Sequence, residues 1–531
     1  MIRLKRLKRL ILILVVLCLV SASFLNNNKV AVAAGTTKTV SPPDQGGDFN
    51  KIQDAINNAN PGDTILVRRG IYNESIVVNV TRVTLIGEDR DKTVIMGGDM
   101  NYVVSIVAEN VGLTNLTIIR SAIRLNSYGI LVVSGGNEMS QNNITGNDRG
   151  IMLQLSSSNT ISDNIIAKNN YGISLYSSNF NMISNNDVSS NTYEGIDSSF
   201  SHSNWIVANT VSLNGYDGIK LYSSSNNQIW YNSIAFNKKY GIDIDYSAST
   251  NTNVFLNNFN NLQQVSLGNS VSAWSYEDEG NYWSDYNGTD IYSGPYQNET
   301  GADGIGDTAY VMDANNRDSR PLMGIFSVLY IPLAGVRYPI TVVSNSTISE
   351  LGFETRPETG DKVLHFKAEG ADNTTGFCRI MIPVQLTNYS FIMLADEEEI
   401  VPTFLNVTSD QYVYLYFTYL HDSDISIVSS KTQYLLDTLQ TQVADLQATI
   451  DSRDAEYNEL LKNYTFLFGN YTMLQNDYQQ HLSDYLRNVD NIQNIMYIFA
   501  ATTAIFMITT VYLSKVAHLS LITKKKESKT E

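Results

Sequence analysis

Hydrophobic and polar residues alternate in short runs that return about every 22 positions through the middle of the chain. The stretch "NNYGISLYSSNFNMISNND", Asn169 to Asp187, is followed by "YEGIDSSFSHSNWIVAN", "YDGIKLYSSSNNQIWYN" and "KYGIDIDYSASTNTNVFLN". Each unit holds β-branched and aromatic residues with a period of two, divided by Asn, Ser and Gly, and it carries no long run with a period of 3.6. The pattern therefore predicts that each unit is one turn of a parallel β-solenoid.

Two sets of equivalent residues mark the repeat. Glycines followed by Ile recur at spacings of 21, 22, 23, 23 and 23 residues: Gly129, Gly150, Gly172, Gly195, Gly218 and Gly241. Asparagines with Ile or Val two residues later form the second set: Asn142, Asn164, Asn186, Asn209 and Asn232. Stacked coils lie about 4.8 Å apart, so each set should form a ladder. We expect the asparagines at corners, because Asn tolerates the left-handed conformation and hydrogen-bonds to neighbours above and below.

The segment that precedes the repeats predicts a short amphipathic helix. Phe49, Ile52, Ala55, Ile56 and Ala59 share one face of it. The end of a solenoid exposes unpaired strand edges and must be covered. We therefore expect this helix to lie before the first strand and to cap the N-terminal end, with about nine coils from roughly residue 64 to residue 265 in a rod of about 40 Å.

Three segments together resemble one protein family: "IQDAINNANPGDTILVRRGIY", the coils, and "GNYWSDYNGTD" with "GADGIGDTAYVMDANNRDSRPLM". They are similar to the NosD-type branch of the right-handed β-helix (pectate-lyase-like) superfamily. The resemblance covers residues 38–323 and implies a right-handed parallel β-helix with an N-terminal cap helix and a Gly/Asp-rich C-terminal cap. Family members include a periplasmic protein for copper-site maturation and archaeal surface proteins. We do not expect this chain to act in copper-site maturation, because the solenoid offers only His202 and scattered methionines as soft ligands.

Residues 324–430 follow a different pattern, with strand-like alternation in "YPITVVSNSTISELGFET", "FCRIMIPVQL" and "QYVYLYFTYLHDSDISIVSS". Short strands between turn residues predict a β-sandwich, and the segment resembles modules that accompany such coils in archaeal surface proteins. Cys378 is interpreted as a core residue. Only one other cysteine, Cys18, occurs in the chain, which excludes a disulfide framework.

Residues 431–493 carry a heptad pattern. Apolar residues and tyrosines alternate at spacings of three and four from position 436 to position 492, and five tyrosines share one heptad site: Tyr457, Tyr464, Tyr471, Tyr478 and Tyr485. This pattern predicts a coiled-coil stalk of roughly 85 Å. A single helix would leave the stripe exposed to water, so we expect a homo-oligomer, whose strand number the pattern does not define.

Both ends of the chain carry targeting signals. Residues 1–33 have a basic start, an apolar run and the small-residue pattern Ala31-Val32-Ala33, which predicts a secretory signal peptide, with an uncleaved anchor as the alternative. Residues 495–514 are uncharged and long enough to span a bilayer. Because lysines follow in residues 515–531, this tail is predicted to be cytoplasmic and the large N-terminal region extracellular.

The charge of the chain excludes one class of partner. The formal net charge is −17, and the body between the basic ends holds 25 basic and 51 acidic residues, which gives −26. Such a body repels phosphate backbones, so we expect no nucleic-acid partner.

The outward positions of the coils hold the candidate ligand-binding residues. Within each coil the second and fourth residues after the glycine are expected to face solvent. Asp197, Lys220 and Asp243 then form a charge ladder, with its two carboxylates about 9.6 Å apart, near the upper end of the range for inverting glycosidases. The candidate ligand-binding residues are Tyr176, Asp197, Lys220, Tyr222, Asp243 and Asp245. Aromatic rings beside acids suit sugars, whereas the alternative is a structural ladder of ion pairs.

These residues predict a membrane-anchored extracellular β-helix protein that presents a rigid surface for binding polysaccharide or cell-surface glycan, or for envelope structure. The alternative is a polysaccharide lyase, hydrolase or epimerase, with Asp197, Asp243 and Asp245 as catalytic candidates. Within the resemblance, polygalacturonases use three Asp with a Gly-His-Gly motif and an Arg-Ile-Lys motif, and "DGIKL" matches only the last of these faintly.

The Asp-rich end of the β-helix is a candidate Ca²⁺ site, through Asp303, Asp307 and Asp313. Calcium prefers oxygen-rich turns, but the spacing matches no EF-hand loop. The alternative interpretation is a glycine-turn cap whose aspartates bond to backbone amides.

Overall fold

The repeat builds three parallel sheets that wind around one core. The structure, a computed structural model, describes residues 35–430 except 44, 121, 246–248, 277–278, 388–389 and 406, then residues 492–527 and the isolated positions 439, 442–443, 473–475 and 477. The predicted signal peptide and almost all of the predicted stalk lie outside the described residues, so both stay predictions.

Sheet A contains ten strands in the described part of the chain. They are Thr37–Val40, Thr64–Val67, Thr84–Gly87, Gly112–Thr114, Glu138–Ser140, Thr160–Ser162, Met182–Ser184, Trp205–Val207, Gln228–Trp230 and Asn253–Phe255.

Sheet B also contains ten strands among the described residues. They are Gly70–Tyr72, Thr93–Gly97, Thr117–Arg120, Asn143–Thr145, Ile165–Ala167, Asp187–Ser189, Thr210–Ser212, Ser233–Ala235, Asn258–Asn260 and Tyr282–Trp283.

Sheet C, which carries the candidate site, contains nine described strands. They are Ile76–Val78, Tyr102–Ile106, Tyr128–Val132, Arg149–Gln154, Tyr171–Tyr176, Ile196–Ser199, Ile219–Tyr222, Ile242–Asp245 and Val265–Ser266. The three sheets make a parallel β-solenoid of about ten turns, which confirms the predicted solenoid.

The repeated glycines stand in one ladder at the start of the sheet C strands. Ile173 donates its N–H to the carbonyl of Gly195, and Ile196 donates to the carbonyl of Gly218, both at 2.9 Å. A β-carbon built on Gly172 would lie 2.4 Å from the Gly195 oxygen. Glycine is therefore required because successive coils approach too closely for a side chain. The isoleucines that follow are fully buried in the core.

Three ladders of buried asparagines run along the corners, of which sequence analysis identified one. In that ladder the Asn164 N–H donates to Asn186 Oδ1 at 3.0 Å, and the Asn186 N–H donates to Asn209 Oδ1 at 2.9 Å. The expectation that these asparagines adopt the left-handed conformation is wrong. The residue before each of them adopts it instead, with φ between 55° and 60°: Gln141, Asp163, Asn185, Ala208, Tyr231 and Leu256. The asparagine is needed for its side-chain oxygen, which accepts the amide of the coil next to it.

The predicted helix covers the N-terminal end of the solenoid, but it is shorter than the predicted segment. The helix runs over Ile52–Asn57 and buries Ile52, Ala55 and Ile56 in the solenoid core. The expectation that it precedes the first strand is wrong, because Thr37–Val40 comes earlier and pairs in parallel with Thr64–Val67. The strand Thr37–Val40 is therefore the N-terminal edge strand of sheet A, one coil beyond Thr64–Val67.

After the solenoid come two hairpins and two antiparallel sheets. The hairpins pair Tyr292–Ser293 with Glu299–Thr300, and Tyr310–Val311 with Arg317–Asp318. Sheet D has the order Ile325–Leu333, Val336–Ser344, Thr375–Pro383, Tyr412–Leu420 and Thr403–Phe404. Sheet E has the order Thr347–Thr355, Lys362–Glu369, Ser423–Ser430, Ser390–Ala395 and Glu398–Ile400. Strands are thus confirmed across residues 324–430, and a 3₁₀ turn, Val384–Leu386, interrupts them.

Two further features concern the C-terminal half. The chain forms two compact units, one with the solenoid and most of sheet D, the other with most of sheet E and the C-terminal helix. The thiol of Cys378 in sheet D is fully buried, as expected for a core residue, and burial raises its pKa. The C-terminal helix extends over Ile492–Glu527, and its 19-residue segment Ala500–His518 is long and apolar enough to cross a membrane.

Candidate functional site

The outer face of sheet C carries a ladder of charged side chains in exact strand register. Ser174 pairs with Asp197, Asp197 with Lys220, and Lys220 with Asp243, each in consecutive coils. We call Arg149, Asp197, Lys220 and Asp243 the charged stripe. Arg149 belongs to it because its guanidinium reaches across two coils, from the strand Arg149–Gln154 to Asp197.

Each cation of the charged stripe lies against a carboxylate. Lys220 Nζ is 3.5 Å from Asp243 Oδ2, and Arg149 Nη1 is 3.8 Å from Asp197 Oδ2. Arg149 also donates to Ser174 Oγ at 2.7 Å and stacks over the Tyr171 ring at 4.2 Å from its centroid. Asp197 therefore pairs with Arg149, two coils away, and Lys220 pairs with Asp243 in the adjacent coil.

The outward positions are less exposed than the alternation predicts. Ser174 is 2% exposed and Asp243 is 5% exposed, whereas Asp197 and Lys220 are half-buried. The long side chains of Arg149 and Lys220 lie over their smaller neighbours and cover them. A position can thus point away from the core and still lose most of its contact with water.

Aromatic rings flank the charged stripe on its C-terminal side. Tyr176, Phe200 and Tyr222 form a chain of edge-to-face contacts, with centroid distances of 5.8 Å and 5.5 Å. Tyr176 and Phe200 are exposed and Tyr222 is half-buried. We call these three the aromatic column. Sequence analysis missed Phe200, because it lies outside the strand at a corner with φ of 53°, where its ring fills the space beside the small Ser199.

The corner on the other side of the stripe holds a second group of aromatic and acidic residues. Tyr171 packs against Tyr193 at 5.0 Å between centroids, and Lys239 lies over the rings of Tyr216 and Tyr240 at 4.9 Å and 4.8 Å. Tyr193 and Tyr216 are more than 40% exposed. Together with the aromatic column they place apolar surfaces on both sides of a charged centre.

Burial raises the pKa of three acids at this face. Burial raises the pKa of Asp197 and of Glu194 above their usual values. Burial, with the nearby charge of Asp243, raises the pKa of Asp217 to about 6. Asp217 is fully buried 3.7 Å from Lys239, and its Oδ2 has no hydrogen-bond partner among the described residues. The opposite effect acts on Lys220: although desolvation opposes it, the surrounding carboxylates, chiefly Asp243, raise its pKa. Asp245, the last candidate, is exposed at the end of its strand.

The Asp-rich segment uses its carboxylates on the backbone. Asp290 accepts the amides of Asp303 and Gly304, Asp307 accepts those of Ile291 and Tyr292, and Asp313 accepts those of Asn315 and Asn316. These bonds match the cap interpretation.

The structure does not bring the three calcium candidates into one ligand set. In the described part of the chain, no group of three or more His, Cys, Asp and Glu side chains is arranged to hold a metal ion. Asp303 is instead contacted by Arg379, whose Nη1 donates to the Asp303 carbonyl at 2.8 Å. A calcium role for Asp303, Asp307 and Asp313 stays a prediction.

Two cavities lie away from the charged stripe. One of about 490 Å³ is lined by Asn226, Gln228, Asn251, Asn253, Val271, Ser272 and Ala273. The other, of about 480 Å³, lies beside the N-terminal helix and the strand Gly70–Tyr72. Neither cavity is lined by a candidate site residue.

Comparison with known proteins finds one family model that matches part of the chain. Residues 56–288 match the family model described as periplasmic copper-binding protein (NosD). A search of curated proteins finds no match.

Several solved structures are similar at low identity. A pectate lyase, Pel9A, has 15% identity and a TM-score of 0.37, covering 47% of this chain and 83% of its own. A pectin methylesterase from carrot has 11% identity and a TM-score of 0.35, with coverages of 46% and 90%. The Dettilon tailspike protein has 12% identity and a TM-score of 0.34, with coverages of 70% and 88%.

The residues of the matched region do not fit a copper site. His202 is its one histidine, and it contains no cysteine. The Nδ1 atom of His202 accepts the amide of Ser225 at 3.0 Å, which commits one of its two ring nitrogens to a corner of the solenoid. Copper is held by groups of imidazole and sulfur ligands, whereas this region offers one imidazole and methionines at separate positions along the coils.

Proposed function

We propose that this protein binds an extended polysaccharide along the outer face of sheet C. The observation that carries the proposal is the aromatic column, in which rings from neighbouring coils lie in mutual contact at the surface. Aromatic faces cover the C–H faces of sugar rings, and charged and hydroxyl groups beside them bond to sugar hydroxyls. Charged groups of the stripe stand beside these rings on three consecutive coils, at Asp197, Lys220 and Asp243. A rigid ladder suits a polymer because its repeat can meet equivalent groups along the rod.

The proposed setting is the outer surface of a membrane. It combines a signal peptide in residues 1–33, the β-helix in 38–323, a β-sandwich in 324–430, a coiled-coil stalk in 431–493, a span in 495–514 and a cytoplasmic tail in 515–531. Two observations support it: the apolar segment Ala500–His518, and the match of residues 56–288 to a family described as periplasmic. In this arrangement the stalk makes a homo-oligomer that presents several heads to one polymer.

Retention on polysaccharides tests the proposal. The full-length protein in detergent micelles would be run by affinity electrophoresis through gels that contain one polysaccharide each. Tyr176→Ala and Tyr222→Ala should each weaken retention about fivefold, because each removes one ring contact worth roughly 1 kcal/mol. Tyr296→Ala is the matched control, since Tyr296 is 83% exposed and lies outside the coils. Equal retention of all variants, or no retention of the wild type on any polymer, would contradict the proposal.

A second candidate function is catalysis at the same face. It is favoured by the burial of Asp197 and Glu194, which raises the pKa of both acids above their usual values, the direction that a general acid requires. Asp197, Asp243 and Asp245 would then act in a lyase, hydrolase or epimerase. The assay measures new reducing ends and unsaturated products, with and without calcium. Turnover that Asp243→Ala abolishes would replace the binding proposal with an enzyme.

A further inference from the structure

Three cations at the proposed binding face are paired with acids of the same chain. Three ion pairs account for them: Lys220 with Asp243 at 3.5 Å, Lys239 with Asp217 at 3.7 Å and Arg149 with Asp197 at 3.8 Å. The acid is the more deeply buried partner in each pair. A buried carboxylate that loses its cation is strongly destabilised, so these cations are held in place.

Two further acids stand at the same face. Glu194 occupies the corner before the strand Ile196–Ser199, and Asp245 ends the strand Ile242–Asp245. Within the described residues neither makes an ion pair. This set of eight residues holds five acids, Glu194, Asp197, Asp217, Asp243 and Asp245, against three bases, Arg149, Lys220 and Lys239. With every acid ionised its net charge is −2, on a body whose charge is already strongly negative.

A polymer that carries carboxylates would meet this face unfavourably. Each carboxylate would have to displace an acid from an existing ion pair, or lie against Glu194 or Asp245. Like charges brought together at an interface repel each other and weaken binding. A neutral sugar meets no such penalty, because rings and hydroxyl partners suffice to bind it.

We infer that the outer face of sheet C selects polysaccharides that carry no carboxylate or sulfate groups, and takes neutral or amine-bearing sugars. This inference rests on the proposed function and names its substrate class. The same ion pairs show how the selectivity can be reversed. Asp243→Asn keeps the shape of the side chain and releases Lys220, and Asp197→Asn releases Arg149 in the same way. A released cation is available to a carboxylate of the polymer.

The test compares neutral glucan, chitosan and polygalacturonate in affinity electrophoresis of the full-length protein. The wild type should be retained by a neutral or amine-bearing polymer and not by polygalacturonate. Asp243→Asn should gain retention on polygalacturonate by about tenfold at low salt and lose the gain at about 1 M salt, where the screening length is about 3 Å. Asp187→Asn is the matched control, because it removes the same charge from an exposed position on sheet B.

The outcomes separate the inference from the proposed function. Polygalacturonate retention of the wild type that Tyr176→Ala abolishes would overturn the selectivity and leave the binding function standing. An equal gain in Asp187→Asn and Asp243→Asn would overturn the inference as well, since only total charge would then matter. If both Asp243→Asn and Asp197→Asn keep the wild-type unfolding temperature and neither gains binding, the inference also fails. Absence of retention on every polymer overturns the proposed function, and the inference with it.

Discussion

Asn281 donates its backbone N–H to the Oδ2 atom of Asp318 at 2.7 Å, at the place where a further asparagine of the ladder would offer its side-chain oxygen. The same oxygen accepts the indole N–H of Trp283 at 2.9 Å, and Oδ1 accepts the amide of Arg320 at 2.9 Å. Asp318 is fully buried. A carboxylate therefore ends the longest asparagine ladder and joins it to the hairpin that follows the coils.

Removing this terminator should destabilise the C-terminal end of the solenoid. Asp318→Ala leaves several buried donors without an acceptor and should cost about 3–5 kcal/mol of unfolding free energy. Asp318→Asn retains one acceptor oxygen and should cost about 1–3 kcal/mol. Chemical denaturation of both variants measures the difference. If the two substitutions prove as stable as the wild type, Asp318 does not terminate the ladder.

An asparagine inside the ladder should be similarly important. Asn186→Ala removes the oxygen that accepts the Asn164 backbone amide at 3.0 Å and its side-chain amide at 2.9 Å. Buried donors left without partners cost about 1–3 kcal/mol each, so a loss of about 2–4 kcal/mol is expected. Asn101→Ala, at an exposed position, should change stability by less than about 0.5 kcal/mol. If these two variants unfold at the same urea concentration, the asparagine ladder does not stabilise the fold.

The left-handed corners predict an unusual response to glycine. Leu213 has φ of 57° and is 57% exposed, so its side chain adds strain and little packing. Leu213→Gly should match or exceed the wild-type stability, because relief of about 1–2 kcal/mol of backbone strain offsets the entropy of the unfolded glycine. Leu213→Ala keeps the β-carbon and should be less stable than Leu213→Gly. Thermal unfolding compares them, and the reverse order would rule out strain at this corner.

Asp217 should make stability depend on pH. Its folded pKa is about 6, above the unfolded value near 3.9, so the folded state binds the extra proton between these values. The contribution of Asp217 to the free energy of unfolding is therefore largest below about pH 4. It is lost as the pH rises through about 6, by up to about 3 kcal/mol. Asp217→Asn should be more stable than the wild type at pH 7.5, with a difference that shrinks by pH 4.5.

The control for this experiment is Asp187→Asn, whose carboxylate is exposed. Its stability relative to the wild type should stay nearly constant over the same pH range. A constant difference for Asp217→Asn as well would mean that Lys239, at 3.7 Å, already compensates the buried carboxylate.

The sequence period was sufficient to assign residues to ladders. Gly172, Gly195 and Gly218 recur at equal positions of successive coils, and the structure stacks them as expected. The same period paired Asp197 with Lys220 and Lys220 with Asp243. Local propensity was less reliable, since Asn186 was expected to adopt a left-handed conformation that Asn185 adopts instead. Conformation at a corner depends on how the chain crosses between two sheets, which the composition of one residue does not define.

Sequence alone therefore determined the solenoid, its ladders and the residues that share its outer face, because one turn of this chain has a nearly constant length. Tertiary structure decided which of those residues remain accessible and which charges pair. Arg149 reaches Asp197 across an intervening coil, Lys220 covers Asp243, and Phe200 enters the aromatic column from a corner. These contacts depend on side-chain length and on backbone direction at the corners, and a strand period specifies neither.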